Sequence, residues 1–394
     1  MAYHPFGLIP RGELEPLNAL QDQYRKDTNG HRIRLMAGVY KSELGEPFFL
    51  PAVKAARQRL FDDPNWNHEY PASHLGTKRF RSLCEALFFR KDCLLLQEGC
   101  IASMQCLGAS GACHMGAVVL NLHYTPFRNG ELGKLYIPEQ TWGLGTELLP
   151  WYSSALASLD IDALIEAIEC LPPRSVIVLQ TAGNNPTGCD PSKSQWTAVA
   201  EVFARRDHLA FLDAAYPGFV TGDVELDCEP IRIFAEANVP IILAATFGKS
   251  FGLYGERVGI LSFTLPSKGV ASRVEDHMKL LARAETGAQP AFGAAIVEII
   301  LSDSELRRTW QDSVRQMAAE LQKRRSLLKA ELVTLQTPGR WDTITKQVGM
   351  FFFTGFTYDQ VTRLREHHHV YLQDTGRMAI SSVGYSTNSQ LEQT

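Results

Sequence analysis

A chain of 394 residues with 45% hydrophobic and 21% charged side chains has the makeup of a folded globular protein, not of a disordered or fibrous one. Its length exceeds what one hydrophobic core usually serves, so two domains are expected. A net charge of −4 argues against nucleic acid as a partner, and no apolar run approaches the roughly 20 residues of a membrane span.

The opening MAYHPFGLIPRGELEPL has neither the apolar core of a signal peptide nor the Arg/Ser-rich, acid-poor makeup of a transit peptide. The eight cysteines are scattered without a metal-type pair of pairs, so reduced thiols and a cytoplasmic setting are expected. Cys100, Cys106 and Cys113 read as small core residues.

In chain order, a helix is expected over Leu17–Lys26, then a turn at Asn29–Gly30 and a strand IRLMAGVY. Gly38 in that strand suggests close backbone approach to a ligand, the commoner alternative being a plain turn glycine. A helix LPAVKAARQRLF from Leu50 ends in DDPNWNHEY, which places Tyr70 on an exposed loop. Tyrosine there usually packs, but it can also reach across a dimer interface. A further helix covers Thr77–Phe88.

After LLLQEGC, the small residues Gly108-Ala109-Ser110-Gly111 open a helix. Free N–H groups and the dipole at a helix start make an anion cradle, to which Ser110 adds a hydroxyl. Small residues equally permit close helix packing. KLYIPE is a strand, and Trp142 falls just past it. A core tryptophan is the default there, and a stacking surface for a planar ring is the sharper reading. SVIVLQ is a buried strand followed by NNPTG, with Asn185 near its C-terminal edge and a helix start at Asp190–Pro191. HLAFLDAAYPGF repeats the pattern with Asp213 and Tyr216. An Asp at the end of an apolar strand needs a partner: a protonated pyridine nitrogen suits, and an ordinary buried network is the alternative.

PIILAAT is another buried strand, and TFGKSFGLYGERVG after it places Lys249 among Gly and Ser, between Thr246 and Arg257. An amine so placed suits a Schiff base with an aldehyde cofactor, the hydroxyl and guanidinium gripping its phosphate. Desolvation and the cationic neighbour would lower the lysine pKa. A solvated lysine on a glycine-rich loop is the bland alternative. Downstream, a helix around Val274–Ala284 carries Arg283, and a long helix spans roughly Ser302–Leu332. His367-His368-His369 invites a metal reading, but consecutive side chains converge poorly on one ion, so no metal is expected. Arg377, just before the strand MAISSV, suits a bidentate carboxylate clamp, although solvated arginine is commoner. Short apolar strands thus alternate with helices, with polar residues at the strand ends where open α/β sheets bind ligands.

With NHEY, NNPTGCDP, FLDAAYPGF, SFGLYGERVG, QVGMFFFTGF and TGRMAISSVG in this order, the chain resembles the aspartate aminotransferase family, class I of the fold-type I pyridoxal-phosphate enzymes, over nearly its whole length. The resemblance implies an α/β fold. A large domain, residues 46–309, would hold a mostly parallel seven-stranded sheet sandwiched by helices. A smaller α/β domain would be built from both chain ends, residues 1–45 and 310–394. It implies a ping-pong aminotransferase acting between an L-amino acid of the aspartate/glutamate type and a 2-oxo acid, through an internal aldimine on Lys249. Lys249 would also shuttle the proton. Asp213 would keep the pyridine nitrogen of pyridoxal 5'-phosphate protonated, Asn185 and Tyr216 would bond the ring oxygen, and Trp142 would stack on the ring. Ser110, Thr246, Arg257 and the backbone of Gly108 and Ala109 would bind the phosphate, with Tyr70 arriving from the second subunit of a homodimer. Arg377 would hold the substrate α-carboxylate and Arg283, also from the second subunit, the distal one; Gly38, Trp142 and Asn185 would complete the substrate site.

Several positions depart from the family pattern. Ala109 adds a methyl that would crowd the phosphate cradle, Asn184 replaces the usual histidine or similar residue, PASHLG follows Tyr70, and Ala288-Gln289-Pro290 stands for Asn-Pro-Pro near Arg283. By the family pattern, the chain would stop at Thr394 before the final helix is complete. These changes keep open an aromatic or specialised aminotransferase and a β-eliminating (C–S) lyase. A non-catalytic scaffold is a further alternative.

Overall fold

The computed structural model describes residues 12, 15–131, 134–142 and 147–384; the outer ends of the expected terminal domain, residues 1–11 and 385–394, lie outside them. The apolar runs form one central sheet. In chain order its strands are β1 (Ile101–Leu107), β2 (Leu135–Pro138), β3 (Glu147–Leu149), β4 (Val176–Gln180), β5 (Leu209–Ala214), β6 (Ile241–Thr246) and β7 (Val258–Thr264). They lie in the order β1-β7-β6-β5-β4-β2-β3. β6, β5, β4, β2 and β3 pair in parallel, whereas β7 runs antiparallel to both β6 and β1.

Continuous apolar strands arise because both faces are covered. On β6, Ile241, Leu243 and Ala245 enter one core, while Ile242 and Ala244 enter the other, as the two-residue period of a strand requires. Helices Gly108–His123 and Lys268–Glu285 supply Met115, Val119 and Met278 to the second core. Helices Lys193–Arg205 and Glu229–Glu236 supply Trp196, Phe203 and Phe234 to the first. The fold is therefore α/β with a mostly parallel seven-stranded sheet between helical layers.

The long helix runs Ser304–Thr334, with the Asp303 carboxylate accepting from the N–H groups of Glu305 and Leu306. Beyond it, Phe351–Phe353 pairs with Arg377–Ala379, and Val370–Tyr371 pairs with Ile33–Arg34 from the other end of the chain. Asp27 fixes this junction, accepting from His369 Nδ1 at 2.7 Å and the Tyr371 hydroxyl at 2.8 Å.

Three local expectations shift. The strand IRLMAGVY contracts to Ile33–Arg34, because its partner Val370–Tyr371 is soon ended by the turn that bonds Gly376 N–H to Gln373. The helix expected from Asp190–Pro191 starts at Lys193, capped by Ser192. Asp190 is already engaged, accepting from Gly183 N–H at 2.6 Å and Asn184 N–H at 2.9 Å. Arg377 lies within its strand and not before it. Among the described residues, no helix is long and apolar enough to cross a membrane.

Candidate active site

The antiparallel course of β7 assembles the site. Val258 lies opposite Leu107 and Gly259 opposite Thr246, so the start of β7 meets the C-terminal ends of β1 and β6. Arg257, Gly108, Thr246 and Asp213 therefore share one sheet edge, where open α/β sheets bind ligands. Packing is tight there: a Cβ on Gly259 would sit 2.7 Å from Gly108 Cα.

At the helix start, Gly108 has φ of 71° and a Cβ on it would come within 2.7 Å of Arg257 Nη2, so glycine alone fits beneath the guanidinium. Arg257 donates to the carbonyls of Tyr254 and Leu107 at 3.2 and 3.4 Å. No side chain caps the first turn of this helix. Ser110 is exposed there, while Ala109 is buried in the first core. The Ala109 methyl thus packs inward, which removes the expected crowding of the cradle. The Thr246 hydroxyl donates to Val258 and accepts from Gly248 N–H, both at 3.0 Å.

Lys249 follows β6 into the interior. Its Nζ donates to the Gly38 carbonyl at 2.9 Å and lies 5.1 Å from the Tyr254 ring centroid and 5.8 Å from that of Tyr216. Burial lowers its pKa to about 8, helped by the positive charges of Arg377 and then Arg257. The larger cationic influence is thus Arg377, from the far end of the chain, and not the Arg257 of its own loop.

Asp213 is buried at the end of β5. Its Oδ2 accepts from Trp142 Nε1 at 2.7 Å, while Oδ1 is buried without a partner. Burial raises its pKa to about 6 against the opposing hydrogen bonds from Trp142 and Ala215. Trp142 is 44% exposed, not the core tryptophan that is the default, and its indole edge rather than its face meets Asp213. Asn185 donates to the Tyr216 hydroxyl at 3.0 Å and accepts from Arg377 Nη1 at 2.9 Å. Gln180 at the end of β4 holds Asn185 through both backbone groups, at 2.8 and 3.0 Å. Burial pushes the Tyr216 phenol up.

Arg377 is buried, and burial lowers its pKa to about 10. It also donates to the Met36 carbonyl, its Nε has no partner, and its guanidinium lies 4.4 Å from the Phe351 ring centroid. Gly38 passes so close that a Cβ would be 2.6 Å from Phe351 Cζ.

The fold thus gathers Gly38, Gly108, Trp142, Asn185, Asp213, Tyr216, Thr246, Lys249, Arg257 and Arg377. Tyr70 is 87% exposed and Arg283 ends an exposed helix turn; among the described residues, neither bonds to this cluster. Tyr254, Phe351 and Gln180 also belong to the cluster, although the sequence does not single them out. Tyr254 lies inside the LYGERVG run and Gln180 at a strand end, which are usable signals, whereas Phe351 is indistinguishable from a core residue. Among the described residues no cluster of metal ligands occurs.

Residues 31–391 match the family described as aminotransferase class I and II. The cytoplasmic aspartate aminotransferase of rice (Oryza sativa subsp. japonica) is 34% identical over 393 residues, covering 97% of this chain and 95% of that one. The chain belongs to the aspartate aminotransferase family. Two solved structures share its fold. The aspartate aminotransferase of Saccharomyces cerevisiae cytoplasm superposes with a TM-score of 0.94 at 32% identity, covering 99% of this chain and 97% of that one. An aromatic-amino-acid aminotransferase from Burkholderia pseudomallei, covalently bound to pyridoxal phosphate, gives 0.93 at 29% identity, covering 99% and 98%.

As a member of this family the protein is a fold-type I, pyridoxal-phosphate-dependent aminotransferase that moves an amino group between an amino acid and a 2-oxo acid. These relatives are aminotransferases, so the lyase and non-catalytic readings are not favoured. The site fits the cofactor. Asp213 offers a buried, unpartnered carboxylate oxygen, Lys249 a desolvated amine, and the helix start beneath Arg257 an uncapped set of N–H groups.

Proposed function

We propose that the protein transaminates aspartate and glutamate with 2-oxo acids such as 2-oxoglutarate, using Lys249, Asp213 and Tyr216 as catalytic residues. The observation that carries this reading is one buried cluster holding a lysine with a pKa near 8, a partnerless carboxylate oxygen and a buried arginine with a free Nε. When bound, pyridoxal phosphate supplies an aldehyde that takes up amines and a ring that withdraws electrons from the bonds at the substrate Cα.

On this reading Asp213 holds the ring nitrogen, and Asn185 and Tyr216 hold the ring oxygen. Trp142 covers the ring face. Thr246, Ser110, Arg257 and the N–H groups of Gly108 and Ala109 hold the phosphate, the helix dipole reinforcing them. Lys249, largely neutral above about pH 8, takes the proton from the substrate Cα and returns it. Arg377 binds the α-carboxylate, a role suited to a guanidinium already oriented by Asn185 and Met36. Gly38, Trp142 and Asn185 wall the substrate space.

Tyr70 and Arg283 are exposed and apart from this cluster, which supports a homodimer in which Tyr70 of the partner subunit reaches the phosphate and Arg283 of the partner subunit reads the distal carboxylate. The cytoplasm is the proposed location, in keeping with cytoplasmic relatives in rice and yeast. Specificity constants for aspartate, glutamate, alanine and phenylalanine test the substrate class, using wild type and Arg283→Leu. A loss of about 30- to 1000-fold confined to the dicarboxylates is expected, the scale of an unpaired charged contact. Equal losses for phenylalanine and aspartate would overturn the assignment.

A further inference from the structure

Arg325 lies in the long helix Ser304–Thr334 and is fully buried. A buried guanidinium ordinarily has a carboxylate beside it. Its neighbour Arg324 has one, Glu320 at 2.9 Å, but among the described residues Arg325 has none. Instead its fork gathers four backbone carbonyls: Ile344 at 2.9 Å from Nη1, and Val348 at 3.1 Å, Gly349 at 3.0 Å and Phe351 from Nη2. The bare burial of the charge pushes its pKa down to about 9. A lone buried cation is a costly way to stabilise a fold. It is a good way to fix one short segment, because a rigid planar fork dictates where each carbonyl lies.

That segment touches the site on two sides. Val348 N–H donates to Gly188 at 2.8 Å, and a Cβ on Gly349 would sit 3.0 Å from Gly183 Cα, so the segment lies backbone to backbone against the loop that carries Asn185. Three residues after Val348, the Phe351 ring lies against the Arg377 guanidinium at 4.4 Å and edge-on to Tyr216 at 5.4 Å. Asn185 accepts from the same guanidinium. Both walls of Arg377 are thus attached to the piece of chain that Arg325 holds.

We infer that Arg325 is the positioning residue for substrate-carboxylate recognition: it fixes Val348–Phe351 so that Phe351 and Asn185 hold Arg377 in its carboxylate-binding orientation. The inference rests on the proposed role of Arg377. Lysine keeps the charge at 325 but cannot reach several carbonyls in one plane, so Arg325→Lys separates geometry from charge.

The test is steady-state kinetics on holoenzyme of wild type, Arg325→Lys, Phe351→Leu and Arg377→Lys, with the cofactor absorbance band and Tm recorded for each. For Arg325→Lys and Phe351→Leu, KM for the amino acid should rise about tenfold or more while kcat changes less than about threefold, the signature of lost substrate binding. The cofactor band should be unchanged. A lowered Tm with unchanged KM in Arg325→Lys would make the residue merely structural and overturn the inference. If Arg325→Lys does not fold, Phe351→Leu decides, and an unchanged KM there overturns the inference. A KM raised by Arg377→Lys alone overturns the inference while leaving the clamp standing; a KM raised by no variant overturns the clamp itself.

Discussion

Lys249 donates its Nζ hydrogen bond to the carbonyl of Gly38, a residue 211 positions earlier in the chain, at 2.9 Å. The amine at the sheet edge is thereby covered by the N-terminal segment, and that segment is in turn backed by Phe351 from the C-terminal part. Gly38 is required because any Cβ would be 2.6 Å from Phe351 Cζ. Gly38→Ala should therefore push Phe351 away from Arg377 or lift the carbonyl from Lys249. Overpacking of this kind costs about 1–3 kcal/mol of folding stability, and displacement of the ring or the carbonyl should also lower kcat/KM. An unchanged kcat/KM would show that the segment is free to adjust.

The depressed pKa of Lys249 has three sources, burial first, then the charge of Arg377 and then that of Arg257. In the cofactor-free chain, the rate of modification of Lys249 by an amine-selective reagent should rise with pH through a midpoint near 8, well below the 10.5 of an ordinary lysine. Arg377→Met removes the positive neighbour and should move that midpoint upward. Peptide-resolved labelling across pH 6–11 measures it; the same midpoint in both proteins would mean that Arg377 does not act on the amine.

Asp213 carries a stability cost whose sign can be worked out. Its carboxyl rises from 3.8 in an unfolded chain to about 6 in the folded one, so between those values the folded state binds the extra proton. Stability therefore falls as pH rises from about 4 to 6, and the full cost, on the order of 3 kcal/mol, is present above that window. Asp213→Asn keeps an oxygen for Trp142 and removes the charge. The cofactor-free variant should be more stable than wild type at pH 8 and equal to it near pH 3.5. Denaturant unfolding at both values checks this, and a less stable variant at pH 8 would contradict it. Lost activity in the same variant would mark the destabilised carboxylate as a functional feature.

The sheet was legible because its strands are buried on both faces and read as unbroken apolar runs, PIILAAT and SVIVLQ among them. Lys249, Asp213 and Asn185 stood out as candidates because polar side chains at the end of such runs, or a few residues past them, have few structural reasons to be there. Arg325, Phe351 and Tyr254 were not, since their roles depend on contacts between segments far apart in sequence. Phe351 sits in FFF and carries no sign that one ring lies against an arginine. Local competition explains the displaced helix start: Asp190 resembles a cap, but its carboxylate serves Gly183 and Asn184, and Ser192 does the capping. The partner that Trp142 finds in Asp213 is likewise a tertiary fact.

The Trp142–Asp213 bond has a measurable consequence of its own. Trp142→Phe removes the donor at 2.7 Å that opposes burial, so the Asp213 carboxyl should move further above 6 and the cofactor-free chain should lose more stability between pH 4 and 7 than wild type does. Unfolding measured at half-unit pH intervals across that range reads the shift. Coincident profiles for the two proteins would show that the indole does not tune the carboxylate.

On this reading Lys249 is the residue that bonds to the cofactor. Borohydride reduction of the yellow holoenzyme, followed by proteolysis and peptide mapping, tests it most directly. The reduced cofactor should be found on the peptide containing Lys249, and Lys249→Ala should bind cofactor without retaining any label. A label on any other lysine, or full labelling of Lys249→Ala, would contradict the account.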